Sequence, residues 1–483
     1  MMSSLKKNLI YNTAYQILIL IVPFVTSPYV SRVLGPEGLG TYSVTTAIVK
    51  YFTLFALLGM TNYGNRTIAK NKGDKETLSI TFWNLYYFQL LFSSLVLIIY
   101  VVYVITIGEK NYGIVSVCQI PYMLSTVFEV SWFFYGMENF KGIVSRNAIV
   151  KVATMIAVFT FVKTREDVWI YVLINALSLL FGQLCLWPFV AKYVTWEKPD
   201  WKLVRSHFKP NCVLMVSVIA VSIYTLMDKI MIELLSNTKE VGYYENTEKI
   251  LTIANNAAGA IGAVMLPRIS NLRSKGDDKQ VLYYISKSMK YIMIVSIALA
   301  FGIASVSHTF SVVYFGNEFE ICSILLKAIA PAIIFYAWSN IIRNQFLLPN
   351  DMDSVFVVAT ITASIVNLVL NGIFIPRFGA LGAVIGTVGA QFSELTYQTL
   401  KVKKLLPIKK YCAGLIPFII SGVIMFICCN GVENLLGVTS LALLVQICVG
   451  VIVYGSFATI YLYLTKDELV IGLLKKYTSK MHL

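Results

Sequence analysis

The chain has 483 residues, of which 57% are apolar and only 13% are charged, and its mean hydropathy is +0.71. Soluble globular proteins have about 45–50% apolar and about 25% charged residues, so this chain has too little polar surface for a water-soluble particle. These values exclude a cytosolic enzyme, a secreted domain and a disordered adaptor, and they indicate a membrane protein.

The charge and the cysteines exclude further classes. The net charge of +15 does not indicate nucleic-acid binding, because the basic residues lie in short groups between apolar segments rather than on one polar face. The eight cysteines include no C-x-x-C pair, and the three histidines share no ligand spacing with them. We therefore predict no disulfide framework and no metal site. No G-x-x-x-x-G-K-[ST] loop is present either, so we expect no nucleotide and no other cofactor.

Long apolar segments follow one another along the whole chain. A helix that crosses a bilayer needs about 20 mostly apolar residues, and none of these segments alternates apolar with polar residues as a barrel strand does. We predict an all-α polytopic membrane protein with 14 transmembrane helices. They lie near residues 8–34, 38–60, 80–107, 114–136, 145–162, 168–191, 211–235, 244–264, 284–308, 321–342, 353–375, 380–400, 411–430 and 439–464.

The loops between these spans differ in their content of lysine and arginine. With the N-terminus inside, the inner segments contain 27 of the 40 basic residues, the outer loops contain 6, and 7 lie within spans. Lysine and arginine favour the cytoplasmic side of a membrane, so we predict that both termini are cytoplasmic. The outer loops are too short to build an enzyme site, which disfavours a membrane polymerase or glycosyltransferase.

The chain also contains an internal repeat with an offset of 202 residues. Under this offset Gly40 corresponds to Gly242, Tyr42 to Tyr244 and Arg66 to Arg268. Each repeat holds six spans, so both insert with the same orientation, as in carriers that expose a central cavity alternately to the two sides. We predict two pseudo-symmetric six-helix lobes, residues 1–200 and 201–404, followed by two further helices and a cytoplasmic tail at 405–483.

Lys50 is the charge that lies deepest in a predicted span. It stands about twelve residues into the second span, roughly 18 Å deep at about 1.5 Å per residue. An ionisable side chain inside a bilayer needs a partner or a function. Two alternatives remain: Lys50 pairs with an acid from another helix, or it forms the cationic floor of a wet cavity that receives an anion.

The other intramembrane charges have structural explanations as well. Glu129 and Lys151 lie at similar depth on neighbouring spans, which favours an ion pair between them. Glu394 is a single candidate with no assigned partner. Four charges near the outer ends of spans seven and eight form either a structural network or a charge relay that responds to ions. They are Asp228, Lys229, Glu248 and Lys249.

Several separated motifs resemble those of polysaccharide flippases of the multidrug/oligosaccharidyl-lipid/polysaccharide superfamily, and the resemblance covers nearly the whole chain. The motifs are S-R-V-L-G-P-E-G-L-G-T-Y at 31–42, W-F-F-Y-G-M-E-N-F-K at 132–141, D-K-I-M-I at 228–232, V-G-Y-Y at 241–244, L-P-R-I-S-N-L at 266–272 and N-G-I-F-I-P-R-F-G-A-L-G-A at 371–383. The resemblance implies fourteen spans in two lobes, with Arg32, Asp228 and Lys229 at motif positions.

The resemblance implies a transporter of the bacterial cell membrane rather than an enzyme. Its substrate would be an undecaprenyl-diphosphate-linked oligosaccharide, moved to the outer leaflet for capsule, O-antigen or related polymers, with polymerase and glycosyltransferase machinery as partners. A diphosphate requires cationic groups, and the candidates for these are Lys50, Arg32, Arg146, Lys151 and Lys249.

Three alternatives remain open. One is an ion-coupled drug or metabolite antiporter of the same superfamily, whose cationic substrates would favour acidic groups in the cavity. Another is a flippase for peptidoglycan precursors, whose head group also carries a diphosphate. The third, a membrane-embedded glycan polymerase or ligase, is disfavoured by the short outer loops and by the repeat.

Overall fold

The computed structural model describes residues 2–467. Side chains are described for residues 22–467, apart from positions 140–142, 144–145, 214, 216–221, 223–225, 260–264, 266–268 and 274. Within residues 2–467 the regular elements are helices and no strand occurs, so the predicted all-helical class is confirmed. The chain forms two compact units, Met1–Glu245 and Asn246–Leu483.

The first unit contains twelve helices and the beginning of a thirteenth. They are α1 (Met2–Leu57), α2 (Met60–Asn71), α3 (Lys75–Tyr103), α4 (Glu109–Tyr112), α5 (Ile114–Val117), α6 (Ile120–Val127), α7 (Ser131–Gly136), α8 (Phe140–Phe161), α9 (Val168–Leu184), α10 (Trp187–Val190), α11 (Trp201–Ser206), α12 (Phe208–Leu235) and α13 (Thr238–Ser274).

Local sequence explains where two of these helices begin or break. Helix α1 is interrupted at Gly35, whose φ of 68° and ψ of 179° are not helical. Glycine adopts a positive φ without steric cost, and Pro36 has no N–H to donate to the preceding turn. The break separates the first two predicted spans. The exposed Asp74 caps the start of α3 and accepts a 2.9 Å hydrogen bond from the Thr77 N–H. Such bonds lower the pKa of this carboxyl below its ordinary value.

An aromatic core holds α2, α3 and α7 together. Trp132, Phe133 and Phe82 are fully buried, and the Trp132 and Phe82 rings lie 5.6 Å apart. Gly64 of α2 packs directly against the Trp132 ring. The W-F-F-Y-G motif therefore stabilises the fold of the first unit.

The second unit continues α13 and adds six long helices. They are α14 (Asp278–Phe310), α15 (Cys322–Ile342), α16 (Asp353–Phe378), α17 (Ala380–Val402), α18 (Ile408–Leu436) and α19 (Ser440–Leu464). Helix α14 packs against α15, α18 and α19, and α17 packs against α15 and α16. Ile292, Trp338 and Phe418 lie in the apolar core that joins them.

Nine helical segments among the described residues are long and apolar enough to cross a membrane. They are Val22–Asn71, Lys75–Tyr112, Ile114–Gly136, Arg165–Val190, Asp278–Phe315, Cys322–Asn350, Asp353–Phe378, Ile408–Leu436 and Ser440–Leu464. The first of these contains the Gly35 break and corresponds to two predicted spans. Helices α8, α12, α13 and α17 cover the four predicted spans that are not among the nine, so the count of fourteen stays a prediction.

The compact units divide the chain at a different point from the predicted repeats. The first unit ends at Glu245, whereas the predicted second repeat begins at residue 201. The two-lobe division stays a prediction, and the part of the predicted cytoplasmic tail beyond residue 467 lies outside the described residues.

Candidate functional site

Five polar side chains meet where α1, α12 and the start of α13 come together in the first unit. We call Ser43, Asp228, Lys229, Tyr244 and Glu245 the junction cluster. The Lys229 Nζ lies 2.6 Å from Glu245 Oε2, and the Ser43 hydroxyl donates a 2.6 Å hydrogen bond to the same oxygen. The Tyr244 hydroxyl donates to Asp228. Asp228 is 3% exposed and Glu245 is 7% exposed, so both carboxylates depend on these partners for solvation.

Two glycines allow the backbones to approach closely beside the junction cluster. A Cβ atom on Gly40 would lie 1.9 Å from the carbonyl oxygen of Thr238, and one on Gly242 would lie 1.9 Å from the carbonyl oxygen of Pro36. The offset of 202 residues relates Gly40 to Gly242 and Pro36 to Thr238. Equivalent positions thus meet reciprocally, as repeated segments do around a local twofold axis. The repeat itself stays a prediction.

Lys50 lies on a polar face of α1 that leads away from the junction cluster. Ser43, Thr46 and Lys50 have the spacing i, i+3, i+7, which places them on one side of a helix. The Gln119 amide donates to the Thr46 hydroxyl at 3.0 Å. Lys50 is half-buried, and the Tyr51 hydroxyl next to it donates to the carbonyl of Ser222 on α12. The polar face of α1 is therefore directed into the first unit at these positions.

A second polar group surrounds a break in the predicted fourth span. The backbone leaves the helical conformation at Phe128–Val130, between α6 and α7. Gln89 of α3 donates to the backbone carbonyls of Thr126 and Glu129 at 2.9 and 2.8 Å, and it accepts a 2.8 Å hydrogen bond from the Trp132 indole. These bonds satisfy backbone groups that the break leaves without helical partners.

The Glu129 side chain is connected to Arg146 at this break. Its carboxylate accepts a 2.7 Å bond from the Ser131 N–H and another from the Gln183 amide. Arg146 donates to the carbonyl of Gly182 at 2.6 Å and to Gln183 Oε1 at 3.4 Å. We call Gln89, Glu129, Ser131, Arg146 and Gln183 the bend cluster.

The structure does not form the ion pair expected between Glu129 and Lys151. Lys151 is exposed, and no ion pair involves it among the described residues. Arg146 is the basic residue of α8 that lies near Glu129. Lys151 follows it by five residues, and residues five apart on a helix point about 140° away from each other at about 100° per residue. The expected depth of Lys151 was compatible with a pair, but its direction on α8 is not.

Two of the hairpin charges contact residues that the sequence did not single out as partners. Lys229 pairs with Glu245, and Asp228 accepts a hydrogen bond from Tyr244. Glu248 and Lys249 are half-buried on the part of α13 that belongs to the second unit. The repeat offset could have identified Glu245, because under this offset Glu245 is the equivalent of the polar Ser43.

The two remaining candidates, Arg32 and Glu394, are members of neither cluster. Arg32 is on α1 and exposed. Glu394 is on α17 in the second unit, only 6% exposed, and it accepts a 3.0 Å hydrogen bond from Gln398 one turn later.

Long apolar helices that carry buried charge clusters and a helix broken in mid-span define a polytopic membrane protein of the transporter type. The model of the family described as "Polysaccharide biosynthesis protein" matches residues 5–273, which is more than half of the chain. The chain belongs to this family, and the resemblance seen in its motifs is confirmed.

Individual proteins agree with this assignment. The chain is 24% identical over 390 residues to the putative O-antigen transporter of Escherichia coli strain K12, with 79% of this chain and 92% of that protein covered. It is 28% identical over 287 residues to the probable low-salt glycan biosynthesis flippase Agl15 of Haloferax volcanii, with 59% and 61% covered. Its fold resembles the inward closed conformation of the lipid II flippase MurJ with a TM-score of 0.73 and 16% identity, covering 94% and 98% of the two chains. The relatives are transporters and flippases, and this chain is a transporter rather than an enzyme.

Proposed function

We propose that this protein is a flippase that moves oligosaccharide units linked to undecaprenyl diphosphate from the inner to the outer leaflet of a bacterial cell membrane. The products would feed capsule, O-antigen or related surface polysaccharides. The family match and the two relatives support the class of transported molecule. We further propose fourteen crossings with both termini in the cytoplasm.

The observation on which the proposal depends is the position of Lys50 on the polar face of α1. A diphosphate that crosses a bilayer needs cations and hydrogen-bond donors that replace its hydration. Lys50 offers an ammonium group on the same helix face as two hydroxyl groups, and Gln119 orients one of them. An antiporter for cationic drugs would instead need an acidic residue at such a position.

The other cations have supporting roles in this mechanism. Arg146 and the exposed Lys151 of α8 draw the diphosphate in from the cytoplasmic side, and Arg32 and Lys249 are further contacts along its path. The two repeats then change their arrangement and expose the bound head group to the outside, as in other carriers built from repeated bundles. No nucleotide is used, so an ion gradient or consumption of the product supplies the free energy.

The acidic residues serve the conformational change. Asp228, Lys229 and Glu248 rearrange as α1, α12 and α13 separate, while Glu129 and Glu394 respond to ions or maintain the packing of their helices. Polysaccharide polymerase and glycosyltransferase machinery would act before and after the transport step.

The test replaces Lys50 in cells whose surface polysaccharide depends on this protein. Lys50→Ala should abolish the surface polymer and cause lipid-linked oligosaccharide to accumulate, while Lys50→Arg keeps the charge and should retain part of the activity. Immunoblots of the membrane fraction show whether the variants insert at the level of the wild type.

Lys110→Ala is the matched control, because Lys110 is an exposed lysine at the end of the third predicted span. It should leave the polymer unchanged. Normal polymer with Lys50→Ala at wild-type protein level would remove Lys50 from the site. Rescue of peptidoglycan-precursor export, without any effect on surface polysaccharide, would assign the protein to the alternative lipid substrate.

A further inference from the structure

A histidine lies between two carboxylates at one end of the second unit. His308 is in the last turn of α14, and its Nδ1 lies 2.7 Å from Glu433 Oε1 near the end of α18. Its Nε2 lies 3.4 Å from Glu320 Oε1. Glu320 belongs to the connecting segment, residues 316–321, which leads into α15. Each ring nitrogen of His308 therefore faces a carboxylate oxygen.

The Glu433 carboxylate is also bound by neutral donors. The Thr309 hydroxyl donates to Glu433 Oε2 at 3.1 Å, and the Gln446 amide of α19 donates to the same oxygen at 3.3 Å. The Glu433 side chain is only 18% exposed, so these bonds replace much of the hydration that its charge would have in water. Glu433 thus joins the end of α18 to α14 and α19.

The Glu320 carboxylate lies in different surroundings. Its side chain is 67% exposed, and its distance from the ring of His308 is longer than that of Glu433. Water hydrates an exposed carboxylate whether or not it has a charged partner, so such a contact is exchanged easily. Of the two contacts of His308, the one with Glu320 is the easier to break.

The protonation state of His308 decides how many of these contacts are favourable. A neutral imidazole has one N–H group and one nitrogen lone pair, whereas an imidazolium has two N–H groups. A lone pair and a carboxylate oxygen both carry negative charge density and repel each other. Only the protonated ring can therefore donate to Glu433 and Glu320 at the same time.

The neighbouring elements add few other charges to this end of α14. Residues 311–315, which follow α14, contain Tyr314, the connecting segment contains Glu318, and α15 contains Lys327. Helix α19 contains no acidic or basic residue. Glu318 and Lys327 are exposed, so water and salt screen their effect on His308. Tyrosine and cysteine side chains are ordinarily neutral below about pH 8.

The predicted topology places this end of the second unit on the outer side of the membrane. The predicted spans 284–308 and 411–430 end there, and the predicted span 439–464 begins there. The pH on the outer side follows the surroundings of the cell. Histidine is the side chain that ordinarily changes its charge between about pH 5 and 8, so the position of His308 exposes it to this variation.

We propose that His308 is a proton-binding site whose occupancy decides whether the connecting segment is fastened to α14. The protonated ring donates to both carboxylates through charge-assisted hydrogen bonds. After the proton leaves, the remaining N–H stays with the buried Glu433, and Glu320 is released to water. The connecting segment is therefore held at low pH and loosened as the pH rises. The proposal does not depend on the transported substrate.

The test is hydrogen–deuterium exchange of the full-length protein in detergent at pH 5.5 and pH 8, read by mass spectrometry on peptides that cover residues 316–321. Rates are corrected for the intrinsic pH dependence of amide exchange with an unstructured peptide. The wild-type segment should exchange about three- to tenfold faster at pH 8 than at pH 5.5, as expected for the loss of one hydrogen bond.

Three variants assign this pH dependence to the contact between His308 and Glu320. His308→Gln and Glu320→Gln should each exchange at the faster rate at both pH values, and Glu320 is exposed, so its replacement leaves the packing intact. His207→Gln is the matched control, because His207 is a half-buried histidine of the first unit, and it should retain the wild-type pH dependence.

Three outcomes would overturn the proposal. They are equal corrected rates at the two pH values in the wild type, a pH dependence that persists in His308→Gln or in Glu320→Gln, and a pH dependence that also disappears in His207→Gln.

Discussion

Lys229 and Glu245 lie 2.6 Å apart, with 12% and 10% of their side chains exposed. Breaking such a pair leaves a charge with little solvation, whereas replacing both residues by apolar ones removes the desolvation penalty together with the attraction. The junction cluster is therefore sensitive to which residue is changed. The same ion pair connects α12 to the start of α13, two helices that separate in the proposed transport mechanism.

Lys229→Met should destabilise the protein by roughly 3–5 kcal/mol, because Glu245 would stay buried without its cation. Lys229→Met/Glu245→Met should recover most of this loss. Thermal unfolding of the purified protein in detergent measures both. A double variant that is as unstable as the single one would show that the pair is not the source of the effect.

Single side chains also show the limit of sequence reasoning at this scale. Lys229 and Asp228 were identified because charges are rare in apolar spans. Their partners Glu245 and Tyr244 were not, since a polar residue near a predicted span end looks like an ordinary boundary residue. The three-dimensional approach of α1 to α13 brings Ser43 and Glu245 into contact.

At the scale of elements, the approach of α1 and α13 depends on two glycines. Positions 40 and 242 face the carbonyl groups of Thr238 and Pro36 at distances that leave no room for a Cβ atom. Small residues at helix contacts allow this closeness in membrane proteins. The two contacts are equivalent under the repeat, so substitutions at either glycine should have similar consequences.

Gly40→Ala and Gly242→Ala should each destabilise the protein by about 1–3 kcal/mol or more through overpacking. Gly455→Ala on α19 is the control, because a Cβ atom there meets no atom within 4 Å and alanine favours a helix by roughly 0.5–1 kcal/mol. Yield of monodisperse protein and thermal unfolding report the difference. Normal stability of both the Gly40 and the Gly242 variants would contradict the close contact.

The broken helix around Glu129 illustrates an element that the sequence did not indicate. Proline is the residue that most often bends a helix, yet Pro331 and Pro417 lie inside continuous helices. The break at Phe128–Val130 contains no proline. It exists because Gln89, forty positions earlier than Glu129, supplies hydrogen bonds that the helix no longer makes.

At the scale of the whole molecule, the distribution of basic residues predicts the orientation of every helix. The excess of lysine and arginine on one set of loops predicts that Lys198 and Lys239 lie on opposite sides of the membrane. The seventh predicted span separates them. Both side chains are exposed. Their accessibility therefore tests the topology without reference to the substrate.

With the native cysteines replaced, Lys239→Cys should react with a membrane-impermeant maleimide in intact cells, whereas Lys198→Cys should react only after the membrane is opened. The expected order follows from the positive-inside rule. Labelling of Lys198→Cys in intact cells would reverse the orientation, and labelling of both would remove the crossing between them.

The amino-acid composition alone determined that this is a helical membrane protein, because the insolubility of apolar segments in water does not depend on how they pack. Local patterns were sufficient for the helices and the family, since each depends on residues close in sequence or on motifs of fixed order. The partners of the buried charges, the break held by Gln89 and the two carboxylates that contact the His308 ring were decided by the tertiary structure. Those features depend on side chains from different helices meeting at distances of a few ångströms, and helix direction and register set these distances.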